Sequence, residues 1–275
     1  MRTLLMRATR FFLWSLAVLL CGPLCSAQAA EPAKPPPVAP APLRLCFESA
    51  TIQPWRTAEG RGLNFELLQH VGQQIGQPFA YQALPWKRCL ASLQANEVDG
   101  AFAASFSPDR LEIGAYPGGK LADPAKRMHT DRYVLLKRKG TAVQWDGKQI
   151  SHLDGAVGVQ LGYSIGAQLR GWGVAVEEGN QGALALARRL MLGRVGAIAM
   201  GGSDATMLMA QPEVAAQLEE LPLPLTEKPY YLLLSHQLLD TQPELAQRIW
   251  KAIETVRNSP AYKKQERQAM ELMPD

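Results

Sequence analysis

"VDGAFAASFSPDR", residues 98–110, runs from an apolar, strand-like half straight into Ser105, Ser107, Pro108, Asp109 and Arg110. An apolar strand ending in two hydroxyls and a guanidinium places polar chemistry at a strand exit. Pro108 suits the first turn of a helix, and Arg110 behind it offers a planar fork matched to a carboxylate, with Ser105 as an added hydroxyl donor. The plainer reading of the same residues has Ser107 capping a short helix and Arg110 on the surface.

Working outward, "LRLCF" (43–47) and "FAYQAL" (79–84) have strand composition. Between them, residues 64–75 put Leu67, Leu68, Val71 and Ile75 on one helical face, and Trp86 to Gln94 form a second helical stretch. With the quoted stretch as third strand, the order is β-α-β-α-β, which predicts a parallel sheet with helices on its faces. A second, weaker series follows: strand "AVGVQ" (156–160), a helix start at Ser164–Leu169, strand "VAVEE" (174–178), a helix at Gly182–Leu192 and strand "VGAIAM" (195–200).

Two such series predict an α/β protein of two lobes, each an open and mostly parallel sheet. The stretches "KLADPAKRMHTDRYVLLKRK" (120–139) and "LPLPLTEKPYYLLLS" (221–235) each turn from loop to strand, and so form a two-strand hinge. The expected division is a first lobe over 43–130, a second over 131–229 and a return to the first over 230–275. In the return, Leu245, Ile249, Trp250, Ile253 and Val256 share one helical face that packs back. Ligands in such sheets bind outside the carboxyl ends of the strands, where the quoted stretch ends.

The N-terminus carries Arg2, Arg7 and Arg10, an apolar run from Phe11 to Leu20, and the small residues Ala27, Gln28 and Ala29. That is the layout of a secretory signal peptide cleaved near Ala29; the apolar run is shorter than the ~20 residues a membrane span needs. Residues 30–42 read as a proline-stiffened linker. The leader holds three of the 29 basic residues and none of the 25 acidic ones, so the exported chain is nearly neutral. No basic block remains to argue for nucleic acid.

Cys46 and Cys89 remain after processing, either bridged in an oxidising compartment or as two buried thiols. His70, His129, His152 and His236 are scattered without ligand spacing, so neither a metal nor a cofactor is expected.

The chain resembles the bacterial extracellular solute-binding proteins of family 3, the type II periplasmic binding proteins. "GLNFELLQHVGQQIG" is similar to the family's first helix, with Asn64 where Asp is usual. "PWKRCLASLQANEVDGAFAASFSPDR" is similar to its second helix, third strand and Ser/Thr-Pro-acid-Arg exit, the strand being one residue shorter than usual. "LDGAVGVQLGYS" and "GRVGAIAMGG" resemble strands of its second lobe.

The resemblance implies that Arg110 binds a ligand carboxylate with help from Ser105. It implies that Trp86 stacks on the ligand, where the residues alone equally allow a core aromatic. The turn Gly162, Tyr163, Ser164 would offer backbone N–H groups to the same anion. Glu48, at the end of the first strand, either faces the cleft to hold a cationic group or is a solvated loop acid. Gly201 stands where amino-acid-binding members place an Asp for the ligand's ammonium; Asp204 either substitutes for it or caps the next helix.

The implied function is periplasmic capture of a small carboxylate-bearing or polar, amino-acid-like solute by a monomer. Its implied partner is the permease of an ABC importer or a membrane sensor. Two enzyme readings stand beside it. Gly162-x-Ser164-x-Gly166 has the spacing of a nucleophile elbow, followed by Asp204 and His236 in α/β-hydrolase order. A few members of the fold are dehydratases of prephenate-like acids, for which Glu48 would be the added acid.

Overall fold

A computed structural model describes residues 40–180 and 182–274. The signal-peptide stretch and most of the proline-rich linker lie outside these residues. Among the described residues no helix is long and apolar enough to cross a membrane.

The first series appears as β1 (Leu43–Glu48), α1 (Leu63–Ile75), β2 (Phe79–Leu84), α2 (Trp86–Gln94) and β3 (Gly100–Ser105). The chain then crosses on β4 (His129–Arg138) and forms a small hairpin from β5 (Gln144–Trp145) and β6 (Ile150–Ser151). The second series is β7 (Val157–Gln160), α3 (Ser164–Gly171), β8 (Val176–Asn180), α4 (Ala183–Met191) and β9 (Ala197–Gly201). After α5 (Gly202–Met209), α6 (Pro212–Ala215) and β10 (Leu218–Glu220), the chain returns on β11 (Thr226–Leu234). It ends in α7 (His236–Thr241), α8 (Pro243–Asn258) and α9 (Pro260–Glu271). The amphipathic face expected in the return lies on α8, and α9 starts separately at Pro260 after the Ser259 cap.

The strands alternate side chains between two apolar layers, as sheets covered on both faces require. In the first lobe, Leu45, Phe47, Phe102, Leu232 and Leu234 join Leu67 and Leu68 of α1 and Ile249, Trp250 and Ile253 of α8. Their neighbours Cys46, Ala101, Ala104 and Leu233 face Trp86, Leu90 and Leu93 of α2. In the second lobe, Tyr133, Leu135, Val157 and Val159 pack with Ile165 and Leu169 of α3, while Val134, Leu136, Ile198 and Met200 pack with α4 and α5. Cys46 and Cys89 form a disulfide that ties β1 to α2, with Cα atoms 5.6 Å apart.

The two crossing strands join the half-sheets into one: nine strands form a single sheet in the order β2-β1-β3-β11-β4-β9-β7-β8, with β10 added on β4. The join is made by the crossing strands. β11 pairs antiparallel with β4 from Thr226↔Tyr133 to Tyr230↔His129 and with β3 from Tyr230↔Ser105 to Leu234↔Gly100. Each crossing strand is long enough to pair in both lobes, so backbone hydrogen bonds run unbroken between them.

Candidate functional site

The lobes meet over a small cavity lined by Ile52, Trp55, Arg56, Trp86, Ala103, Ser105, Arg110, His129, Asp131, Tyr133, Tyr163, Gly201, Asp204 and Tyr230. It leaves only about 30 Å³ for the centres of water-sized molecules, room for very few waters. Direct bonds join the lobes beside it. Ser105 Oγ and Ser164 Oγ share a hydrogen bond of 2.7 Å, and Trp55 Nε1 donates to Ser203 Oγ at 2.9 Å.

The β3 exit builds the first wall. β11's register shifts between Tyr231 and Leu233, where β3 holds an extra residue, and Ala103 takes φ 58, left-handed for a residue with a side chain. Bulges of this kind re-aim a strand's end and recur beside functional sites. Two residues on, the Ser105 carbonyl accepts from Tyr116 Oη at 2.8 Å and from Arg110 Nη1 at 2.7 Å. Arg110, 3% exposed, also donates from Nη2 to the Gly162 carbonyl at 2.9 Å and lies 5.3 Å over the Trp86 ring. The surface reading of Arg110 is thus replaced by a buried guanidinium that spans the cleft. Trp86 packs in the first lobe's core and also lines the cavity.

The turn before α3 is arranged differently from the expectation. The Gly162 N–H donates to Glu178 Oε2 at 3.0 Å and the Tyr163 N–H to the Gln160 carbonyl at 3.2 Å, so neither is open to an anion. What faces the cavity is the Tyr163 side chain, whose hydroxyl is buried with no hydrogen-bond partner. Ser164 Oγ, besides its bond to Ser105, accepts from Lys228 Nζ at 3.2 Å.

Glu48 is neither cavity-lining nor solvated. Its Oε2 accepts from the Trp86 N–H at 2.9 Å and its Oε1 from the Ala50 N–H at 3.2 Å, so the carboxylate serves the first N–H of α2 in place of a cap that Pro85 does not supply.

Asp204 lies in the first turn of α5 and lines the cavity, 7% exposed. Its Oδ2 accepts from Gln160 Nε2 at 3.1 Å, and burial pushes its pKa up to about 6, partly opposed by that hydrogen bond. A second carboxylate faces the same space and escaped the sequence reading. Asp131, on β4, accepts from the Arg132 N–H at 2.8 Å and the Ser203 N–H at 3.3 Å, and burial raises its pKa. Its Oδ2 lies 3.3 Å from the point where a β-carbon on Gly201 would stand, so the space opened by that glycine is filled from the neighbouring strand.

The loop between β1 and α1 adds Trp55 and Arg56. It can pack as it does because Gly62, at φ 109, has no β-carbon; one there would stand 2.8 Å from the Trp55 carbonyl. Trp55 stacks on His129 with centroids 4.0 Å apart, and His129 on Tyr230 at 4.8 Å, giving a three-ring column beside the crossing strands. Burial, reinforced by the Arg56 charge, holds the His129 pKa well below its ordinary value, which keeps the imidazole neutral. Among the described residues no group of His, Cys, Asp or Glu could hold a metal ion.

The hydrolase constellation does not assemble. Asp204 is engaged with Gln160, and His236 Nε2 is 3.0 Å from the Leu111 carbonyl. Ser164 is bonded to neither of them, its partners being Ser105 and Lys228.

No family model and no curated protein matches the sequence. Solved structures do. The chain is similar to the GluR0 ligand-binding core from Nostoc punctiforme in complex with L-glutamate (TM-score 0.63, 16% identity, covering 83% of this chain and 99% of that one). It is similar to the arginine-, lysine-, histidine-binding protein ArtJ from Geobacillus stearothermophilus (0.64, 19%, 86% and 97%). It is also similar to a histidine kinase sensor domain with similarity to periplasmic binding proteins (0.67, 13%, 85% and 98%). The chain has the two-lobed fold of the type II periplasmic binding proteins.

Proposed function

We propose that the protein captures a small zwitterionic, amino-acid-like solute by closing its two lobes over it. The observation that carries this reading is the pairing of opposite charges on one cavity: the guanidinium of Arg110 beside the β3 exit, and the carboxylates of Asp131 and Asp204 across the cleft. Carboxylates buried there without a cationic partner are held at raised pKa, and an ammonium group supplies what they lack. Ser105 and the Trp86 ring complete the anion end. On opening, the bonds of Arg110 to Gly162 and of Ser105 to Ser164 are released, and a ligand carboxylate takes their place.

The arginine-rich, then apolar N-terminus supports export to the periplasm. Handover to the permease of an ABC importer, or to a membrane sensor, is the role that fits a protein whose state of closure reports its ligand. The likeness to a solute-binding protein and to a kinase sensor domain supports both kinds of partner.

Titration of the purified protein with free amino acids and small carboxylates tests the reading. A saturable rise of the thermal midpoint without turnover of the solute is the expected result, because a ligand bound to the folded state alone stabilises it by mass action. No shift with any zwitterionic solute, alongside a clear shift with a neutral ester or sugar, would overturn it.

A further inference from the structure

The cavity holds more cationic hydrogen-bonding capacity than a single carboxylate uses. Arg110 has partners for both of its terminal nitrogens within the protein. Arg56 does not. It is 6% exposed, it lines the same cavity, and its described hydrogen bond is the one from Nε to the Glu48 carbonyl at 3.2 Å. The two terminal nitrogens, the part of the fork that grips a carboxylate bidentately, have no hydrogen-bond acceptor among the described residues.

A second donor has no partner. The Tyr163 hydroxyl is buried and unpartnered, and Tyr163, Arg56 and Asp204 line the same cavity. The Arg56 fork, with no acceptor for its terminal nitrogens among the described residues, and the unpartnered Tyr163 hydroxyl line one cavity and form an acceptor-seeking pair. Asp204 does not fill the role, since its hydrogen bond is to Gln160 and no ion pair joins it to Arg56 among the described residues.

We infer that Arg56, with the Tyr163 hydroxyl, forms a second anion subsite, and that the ligand is an amino acid carrying a second carboxylate. The inference rests on the proposed reading for the amino-acid part and on Arg56 for the second acid. Arg56 and Arg110 place two guanidinium groups on one cavity, one for each carboxylate of an amino dicarboxylate. Arg56 is here a specificity-determining residue: it separates an acid from the matching amide, which offers the same shape without the charge.

The test is calorimetric titration of the full chain with L-glutamate, L-aspartate, L-glutamine, L-arginine and glutarate. The acidic amino acids are expected to bind at least about 30-fold more tightly than glutamine, a ratio in keeping with one charge-assisted pair of about 2 kcal/mol. In Arg56→Gln that ratio is expected to fall to within a few-fold of unity. Tyr163→Phe, which removes one oxygen and leaves the ring, is expected to reduce the ratio about three- to tenfold and serves if Arg56→Gln does not fold.

Amino-acid binding without preference for the acids, or an equal loss of every probe in both variants, overturns the inference and leaves the amino-acid reading standing. Binding of glutarate alone, abolished in Arg56→Gln, keeps the second anion subsite and removes the amino-acid reading. Binding of none of the five probes overturns both.

Discussion

Asp131 occupies, from β4, the space that a side chain on Gly201 of β9 would fill, its Oδ2 lying 3.3 Å from the position of the missing β-carbon. The two residues are near neighbours across the ladder, since Tyr133 is the registered partner of Gly201. An acid can therefore serve this corner of the cleft from either strand. Asp131→Asn is expected to weaken an ammonium-bearing ligand by about 30-fold or more, the usual result of removing one member of a buried charge pair. The double variant Asp131→Asn, Gly201→Asp is expected to recover part of that loss, and calorimetry with the tightest amino acid decides it. Gly201→Asp alone is expected to crowd Asp131 and weaken binding.

Arg110 bonds to Ser105 in its own lobe and to Gly162 in the other. Arg110→Ala is expected to do two things at once. It removes the ligand's carboxylate partner, with a loss of about 100-fold or more in affinity (about 3 kcal/mol). It also deletes a bond between the lobes, so the ligand-free radius of gyration in small-angle scattering is expected to rise. Unchanged affinity would remove Arg110 from the site; unchanged scattering would show that the serine pair suffices to hold the lobes together.

Two buried groups respond to pH in opposite senses. Asp204 titrates near 3.8 when unfolded and at about 6 in the fold, so the native state holds the extra proton between those values. Its contribution to stability then declines as pH rises through that window, by at most about 3 kcal/mol. His129 is displaced downward from 6.5, so the unfolded chain takes the extra proton and stability declines as pH falls below 6.5. The wild-type profile superimposes the two. Urea unfolding of wild type and Asp204→Asn separates them: the variant's advantage is expected to grow from pH 4 to pH 6 and to stay constant above. An advantage independent of pH would show that the Asp204 charge is not what burial opposes.

The Cys46–Cys89 bridge closes a loop with a sequence separation of 43. Chain-entropy arguments put its contribution at about 4 kcal/mol, with a range of 2–5 in natural exported domains. The paired Cys46→Ser, Cys89→Ser variant is expected to lose stability on that scale. Ligand affinity is expected to change by less than about threefold, because α2 remains held to the sheet by Leu90, Leu93 and the Glu48 carboxylate. A large loss of affinity would mean that the bridge positions Trp86.

The strands and helices of both lobes were legible because their apolar residues recur with the two periods that covered sheets and amphipathic helices impose. "FAYQAL" and Trp86–Gln94 stand where expected, and the helix over 64–75 begins one residue earlier, at Leu63. "VAVEE" starts two residues before its strand, Val176–Asn180, since turn and strand share the same apolar composition there. The continuity of the sheet was not legible. Period-two patterning states that β4 and β11 are strands, but not that each pairs in both lobes.

In the site, the Arg110 exit stood out because its polar residues are adjacent in sequence. Asp131 and Arg56 did not. Asp131 precedes Arg132 and reads as half of a solvated pair, while Arg56 lies among Thr57, Glu59 and Arg61 in a loop with no period. Their carboxylate and guanidinium turn inward only because Gly201 and Gly62 make room 70 and 6 residues away along the chain. A glycine at a strand end and another before a helix were the sole traces of them in the sequence.

The shared pairing of β11 has a mechanical consequence. Parting the lobes does not swing two rigid bodies about a slack joint; it twists a hydrogen-bonded ribbon, with β4 along one stretch and β3 along the next. Pro229, opposite Thr130, removes a donor just before β3 begins its pairing, so the ribbon is thinnest there. Such a ribbon behaves as a torsion spring: its restoring torque grows with the angle of opening, and its compliance is set by a few ladder bonds around residue 229. The working angle of the cleft is then a property of the backbone, tunable by changes on the strands without altering any residue that meets the solute.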